Sequence, residues 1–365
     1  MPRPELLSMD LPGLTDLLAA WGEPAYRARQ LFGWLHQKNA GDLAEMSDLP
    51  KALRRRLAEE TDFQPLKLLR RQESAAGDTV KLLLELADGE QIETVLMLYR
   101  RKDSRDRATC CVSSQSGCAM GCAFCATGQY RRFRNLTAGE ILGQCYWACR
   151  AAREKGFAGL SNVVFMGMGE PLYNLNHVAA ALAALEHPLG LALSHRRVTV
   201  STCGVVPQIY RLSEWEQPVE LAVSLHSADE ALRRQLMPGA GRWSLAQLME
   251  ACRAYRRRTG RRLTFEYALF KGVNDSPSAA AQLAALLTGE DILVNIIPAN
   301  PVEGSAFTAP SAKTIENFTA ACRRLGIHFQ LRESRGQDID GACGQLRKRN
   351  QICGDAFAVD PAFGE

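Results

Sequence analysis

Hydrophobic and polar positions change their period along the chain. Up to about residue 64 the apolar residues recur at helical spacing. Residues 14–21, just after Pro12-Gly13, form a short amphipathic stretch. Pro24 opens a second, with Tyr26, Leu31, Phe32, Trp34 and Leu35 on its apolar face, and Pro50-Lys51 starts a third. The pattern predicts a small helical domain over 1–64. From 65 to 107 it turns to β. Residues 80–86 and 91–99 flank Asp88-Gly89, which predicts a hairpin extension, and 100–107 is a charged loop.

From 108 onward, apolar strands near 109–114, 162–166, 197–202, 219–225, 262–268 and 292–297 alternate with helical stretches. The helices fall near 138–154, 175–186, 207–216, 244–259 and 277–287. The first opens on a capping box, Thr137 with Glu140. Alternation of this kind predicts an α/β fold with a parallel sheet. Six units suit a partial (β/α)6 barrel over 108–333 better than a closed eight-unit one. Its chemistry would sit at the C-terminal strand ends, in the βα loops. Residues 334–365 read as a tail rich in Gly, Arg and Asp that carries Cys343 and Cys353.

Composition adds boundaries. The 365 residues are 46% hydrophobic and 23% charged, which excludes wholesale disorder, collagen and a coiled-coil rod. No apolar run approaches the ~20 residues that span a bilayer. Glu5, Asp10 and Asp16 break the first 22 residues, so no secretory signal is read there. The expectation is a cytoplasmic protein, with no membrane partner and no need to be more than a monomer. Lys and Arg number 44 against 40 Asp and Glu, a net charge of +4 that permits a nucleic-acid partner without requiring one. Only nine of the cations are Lys, and Arg grips phosphate bidentately. Candidate phosphate contacts are Arg54 to Arg56, the run 131–134, Arg256 to Arg258 with Arg261 and Arg262, and the run 347–349. For the run Arg54 to Arg56 a solvated helix face is the plainer account.

Twelve cysteines are many for a chain with no export signal, and cytosolic thiols stay reduced. Five of them fall between Cys110 and Cys125. Cys118-Ala-Met-Gly-Cys122-Ala-Phe-Cys125 follows the first strand of the α/β region. Three Cys at this spacing bind three corners of a [4Fe–4S] cube. The fourth iron is then open to the amino and carboxylate groups of S-adenosylmethionine. Structural zinc is the alternative. It takes four ligands, usually from paired knuckles, and no second pair matches here.

These residues resemble the radical S-adenosylmethionine enzymes, and the surrounding text resembles one group of them. The blocks are 111–118, Ala126-Thr-Gly128, 134–140, Gly167-Met-Gly-Glu170-Pro171, 201–207, Ser224-Leu-His226, Pro298-Ala-Asn300-Pro301 and 335–346. Together they look like the RlmN family, which methylates C2 of adenine 2503 in 23S rRNA and acts on tRNA adenine. The resemblance implies Cys118, Cys122 and Cys125 as ligands of the cluster. It implies Gly169, Glu170, Ser201, Ser224, Leu225, His226 and Asn300 as contacts to S-adenosylmethionine. It also implies a two-stage mechanism. The thiolate of Cys343 takes a methyl from one S-adenosylmethionine. A 5′-deoxyadenosyl radical from a second then abstracts hydrogen from that methyl. The methylene radical adds to C2, and Cys111 resolves the covalent adduct, ending in a transient disulfide with Cys343. The proton acceptor matches Glu93, either a base of raised pKa or a strand residue facing solvent. Protein-free or immature 23S rRNA, tRNA and a flavodoxin-type electron donor are the implied partners.

Departures from the family's text are Cys110 beside Cys111, a long 100–107 loop, Tyr130-Arg131-Arg132, and the segment 238–242. C8 methylation of the same base, as in Cfr-type enzymes, shares the two-cysteine chemistry. A zinc-containing RNA-binding or ribosome-assembly protein is the non-catalytic alternative.

Overall fold

A computed structural model describes residues 3–64, 66–101, 104–130 and 133–347. Cys353, Arg131, Arg132, Lys348 and Arg349 lie outside the described residues. The N-terminal helices are α1 (Leu11–Ala20), α2 (Tyr26–Gly33) and α3 (Lys51–Glu60). Asp10 caps α1 by accepting from the Gly13 amide. The strands β1 (Leu66–Glu73), β2 (Thr79–Leu86) and β3 (Gln91–Tyr99) follow. Then come β4 (Arg107–Cys111), α4 (Ala138–Glu154), β5 (Asn162–Phe165), α5 (Leu175–Glu186), β6 (Val198–Thr202), α6 (Val206–Leu212) and β7 (Glu220–Ser224). The series closes with α7 (Glu230–Leu236), α8 (Leu245–Thr259), β8 (Leu263–Leu269), α9 (Pro277–Leu286), β9 (Leu293–Pro298), α10 (Ala312–Arg324) and β10 (Phe329–Leu331).

All ten strands form one sheet in sequence order. β4 to β10 are parallel neighbours, and helices cross between them, so the expected six βα units are present with β10 added at the far edge. The sheet ends at β1 and β10, an open arc rather than a closed barrel. The hairpin gains a third strand: β1, β2, β3 and β4 pair antiparallel, and so continue the barrel wall. The Asp88-Gly89 turn is as expected, with Gly89 at φ +82°.

The N-terminal helices pack on α4. The Tyr146 hydroxyl lies 2.6 Å from His36 Nδ1, and the Asn39 amide donates to the Tyr146 carbonyl at 2.9 Å. Arg134 ties the hairpin turn to the same helix, bridging Asp88 and both oxygens of Glu140. Leu14, Leu31 and Leu57 join Ile141, Val200 and Phe265 in one continuous buried core. None of the described helices is long and apolar enough to cross a membrane.

Candidate active site

The C-terminal ends of the parallel strands gather nearly every residue singled out above. β4 ends at Cys111, β6 leads to Cys203, β7 to Leu225 and His226, and β9 to Asn300, while the loop after β5 holds Gly167 to Pro171. A sheet in sequence order makes this unavoidable, because parallel neighbours end at one rim.

The cluster loop is coiled on itself, with Cys125 donating to the Cys122 carbonyl and Gly128 to that of Cys125. The end of α7 and the turn after it brace this loop. Ala123 donates to the Leu236 carbonyl and Gly239 to that of Met120. The unusual 238–242 segment therefore holds the cluster loop. Phe124 packs edge-on against His226 at 4.9 Å and lies 5.0 Å from Phe270, an apolar wall beside the thiols.

The three thiols share one short loop at the strand ends, and thiolates are the donors an iron–sulfur cube takes. Burial pushes the Cys118 thiol up, and nearby Cys203, Cys125 and Glu170 push it further. Burial likewise raises Cys125. Such a crowd of potential anions asks for a cationic occupant. Among the described residues no three His, Cys, Asp or Glu side chains are gathered tightly enough to hold a single metal ion.

Two neighbours of the loop were not anticipated. The sulfur of Cys203 lies 3.9 Å from that of Cys122. Arg233 is buried and donates to the Cys203 carbonyl at 2.6 Å. Nothing local in the sequence marks either one, since their positions depend on β4, β5 and β6 being neighbours.

The loop after β5 lies on the segment after β4. Met168 donates to Ser113 Oγ, and Ser114 and Gln115 donate to the Met168 carbonyl. Gly169 has φ +101°, and a Cβ there would lie 2.6 Å from Gln115 Cβ. A Cβ on Gly167 would lie 2.7 Å from the Val112 carbonyl. These glycines thus admit the neighbouring backbone, and not only a ligand. Glu170 is buried, accepts from the Cys203 amide at 2.7 Å and the Leu172 amide at 3.0 Å, and is pushed up to about 7 by burial. Ser201 and Ser224 are half-buried on β6 and β7, and Leu225 is fully buried. His226 sits at φ +57° and accepts on Nδ1 from the Ala268 amide at 2.9 Å, which leaves the proton of a neutral ring on Nε2. Burial, assisted by Arg233, lowers it to about 3.

Cys343 lies on a loop drawn across this rim. Its carbonyl accepts from Asn300 Nδ2 at 2.9 Å, and Gln337 in turn donates to Asn300 Oδ1. Asn300, expected beside a cofactor, also anchors this loop. Ala126 and Thr127, next to the cluster cysteines, donate to the carbonyls of Gly344 and Leu346. Cys343 is exposed, yet enough protein surrounds its thiol to raise it, with Glu266 adding to the rise and Arg332 opposing it. Burial raises the Cys111 thiol, and Cys343 is near enough to raise it further. Cys110 points the other way. Its thiol is buried against Cys145 of α4 and raised well above its ordinary value.

Glu93 does not face solvent. It is fully buried on β3, two residues before Val95, which pairs with Cys111, so both side chains lie on one face of the sheet. Lys81 on β2 also pairs with Val95, and its Nζ lies 3.1 Å from Glu93 Oε1.

The arginine runs fare differently. Arg257, Arg258 and Arg262 pair with Glu250, Glu214 and Glu220, and Arg261 meets His195. This group lies where β7 and β8 begin, at the opposite end of the strands from the cysteines. Arg55 and Arg56 pair with Glu59 and Glu60 one turn on.

A family model described as the radical SAM superfamily matches residues 112–284, and one described as the ribosomal RNA large subunit methyltransferase N-terminal domain matches 4–62. The chain is 50% identical over 335 residues to a probable dual-specificity RNA methyltransferase RlmN of Moorella thermoacetica, covering 92% of this chain and 94% of that protein. It is 46% identical over 349 residues to the dual-specificity RNA methyltransferase RlmN of an Anaeromyxobacter species, covering 94% and 91%. Among solved structures, a radical SAM methyltransferase from Sphaerobacter thermophilus superposes with a TM-score of 0.90 at 46% identity, covering 94% of this chain and 99% of that one.

Proposed function

Because the chain belongs to the RlmN family of radical S-adenosylmethionine RNA methyltransferases, we propose that it methylates C2 of adenine 2503 in 23S rRNA, and C2 of an adenine in tRNA, with Cys343 as methyl carrier. The observation that carries this is the meeting of two thiols and one carboxylate beside the cluster loop. Cys343 is near enough to raise the Cys111 thiol, its loop is hydrogen-bonded to the cluster loop, and Glu93 shares the sheet face of Cys111.

Cys118, Cys122 and Cys125 would hold a [4Fe–4S] cluster, which with S-adenosylmethionine supplies a 5′-deoxyadenosyl radical. Glu170, with a carboxylate aimed by two backbone amides, suits the amino group of the methionine part. Ser201, Ser224, Leu225 and the neutral His226 would line the rest of that pocket, with Asn300 at its edge. C2 of adenine is a poor nucleophile, so direct displacement at a sulfonium methyl fails there. Cys343 answers this in two roles. As thiolate it takes the methyl, leaving S-adenosylhomocysteine. As S-methylcysteine it gives up hydrogen and joins C2 through its methylene carbon. Glu93 would accept the C2 proton, and the adduct would return its unpaired electron to the redox centre that supplied it; Cys111 would then attack the Cys343 sulfur, and the released methylene carbon would take a proton to complete the methyl of the freed base. The resulting disulfide needs reduction by an external thiol before the next turnover. The target base must leave its stack to reach Cys343, which favours protein-free or immature rRNA. A flavodoxin-type protein in the cytoplasm would supply electrons, and the enzyme would act as a monomer.

The test is a peptide mass across Cys343 from enzyme purified without oxygen and supplied with iron, sulfide and S-adenosylmethionine. One methylene of added mass, absent from the Cys343→Ala variant, is the expected result. An unmodified Cys343 in cluster-loaded enzyme rejects the carrier mechanism. Nucleoside analysis of the treated RNA then separates 2-methyladenosine from its 8-methyl isomer.

A further inference from the structure

The ion pair of Lys81 and Glu93 has both side chains 1% exposed. A buried charge pair is costly to desolvate, and a Lys among the apolar residues of β2 needs a reason. Its contacts run to the loop that carries Cys343. Lys81 Nζ donates to the Asp340 carbonyl at 3.2 Å, and the Arg347 amide donates to Glu93 Oε2 at 2.9 Å. The pair therefore grips the loop on both sides of Cys343, three residues before it and four after. Two further contacts fix the approach: Arg335 bridges to Asp78, and the Ala75 amide donates to Asp338.

We propose that Lys81 is a positioning residue for proton removal from C2: its ammonium keeps Glu93 a carboxylate and ties that carboxylate to the Cys343 loop. Lys81 has this role only if Glu93 is the proton acceptor proposed above. In the step concerned the C2–H bond of the methylene-linked adduct breaks. The proton passes to a Glu93 oxygen, and the bonding pair stays with the ring. Among the described residues, Glu93 meets the Lys81 ammonium from β2 and the Arg347 amide from the loop, Cys111 of β4 lies on the same face of the sheet, and the Asp340 carbonyl of the loop accepts from Lys81. Lys81 brings its positive charge to within 3.1 Å of the carboxylate. Without it a buried carboxylate holds its proton to higher pH, and the base is lost over that range.

The experiment uses full-length, cluster-loaded enzyme in a Cys111→Ala background, so that no resolving thiol contributes to the pH profile. The RNA carries deuterium at C2 of the target adenine. The readout is deuterium loss from the covalent adduct, by mass after nuclease digestion, normalised to the S-methylated fraction of Cys343. Lys81→Met is expected to move the acid limb of deuterium loss up by at least about one pH unit, making the step about tenfold slower below the limb. Lys81→Arg, which keeps the charge, is expected to restore most of the native profile. An unchanged limb in Lys81→Met overturns the proposal. If that variant does not fold, Lys81→Gln keeps a donor for Asp340 without the charge, and a native limb there overturns it equally. Glu93→Gln separates the two levels. Native deuterium loss in Glu93→Gln removes the acceptor assignment itself, whereas slow loss there with a native Lys81→Met removes only the role of Lys81.

Discussion

At Gly169 the chain turns with φ +101° while pressed against Gln115. Both facts forbid a side chain, one by backbone strain and one by collision. Gly169→Ala is expected to lose about 2–4 kcal/mol of stability, read as a lower denaturant midpoint, since left-handed strain and overpacking each cost about 1–3 kcal/mol. It should also weaken S-adenosylmethionine binding, because Glu170 is displaced with it. How far single residues could be read depended on whether their partners were local. The CxxxCxxC spacing needed no tertiary knowledge. Glu93 did: a strand residue has two faces, and only the pairing of β3 with β4 puts it on the face of Cys111. Lys81 carried a usable signal, a lone cation inside the apolar run 80–86. Cys203 carried none until β6 was known to end beside the cluster loop.

Elements were legible where both faces are covered. The strands from β4 to β9 are short apolar runs because helices bury them, and all six lie where the pattern put them. β1 was missed because it is an edge strand, rich in Lys67, Arg70, Arg71 and Glu73, with its register shifted between Leu68 and Arg70. β10 is a three-residue edge, and α7 has only seven residues. The contact of His36, just after α2, with Tyr146 of α4 makes a pH prediction. Burial lowers His36 to about 3 from 6.5, so the unfolded chain binds a proton near pH 6 that the folded one refuses. Folding stability from this group is therefore full above 6.5 and falls as pH drops toward 3, by up to about 1.4 kcal/mol per unit. His36→Gln removes that slope. Its stability deficit against native enzyme should shrink as pH falls from 7 to 5, measured by denaturant melts at each pH. A constant deficit would mean that His36 titrates normally in the fold.

On the scale of the whole molecule, charge is distributed between two ends of the barrel. The arginines around α8 are matched by glutamates and sit at the strand N-termini, away from the cysteines. Arg257→Glu combined with Arg258→Glu is expected to leave RNA affinity within about twofold, and the salt dependence of binding unchanged, because neither residue would neutralise a phosphate. Filter binding across a salt series checks this, and a flatter slope would place RNA on that face. The loop bearing Cys343 also has a consequence for how the protein is made. Its ties join residues 259, 263, 257 and 254 positions apart in sequence. Contacts of such separation close late, after the intervening strands have assembled, since the entropy of joining distant segments must be met first. The rim thiols of a refolding chain should therefore remain open to alkylation after barrel secondary structure has formed. Protection of Cys111 would then report the final event of folding, and the methyl carrier would reach its station only in a molecule already complete.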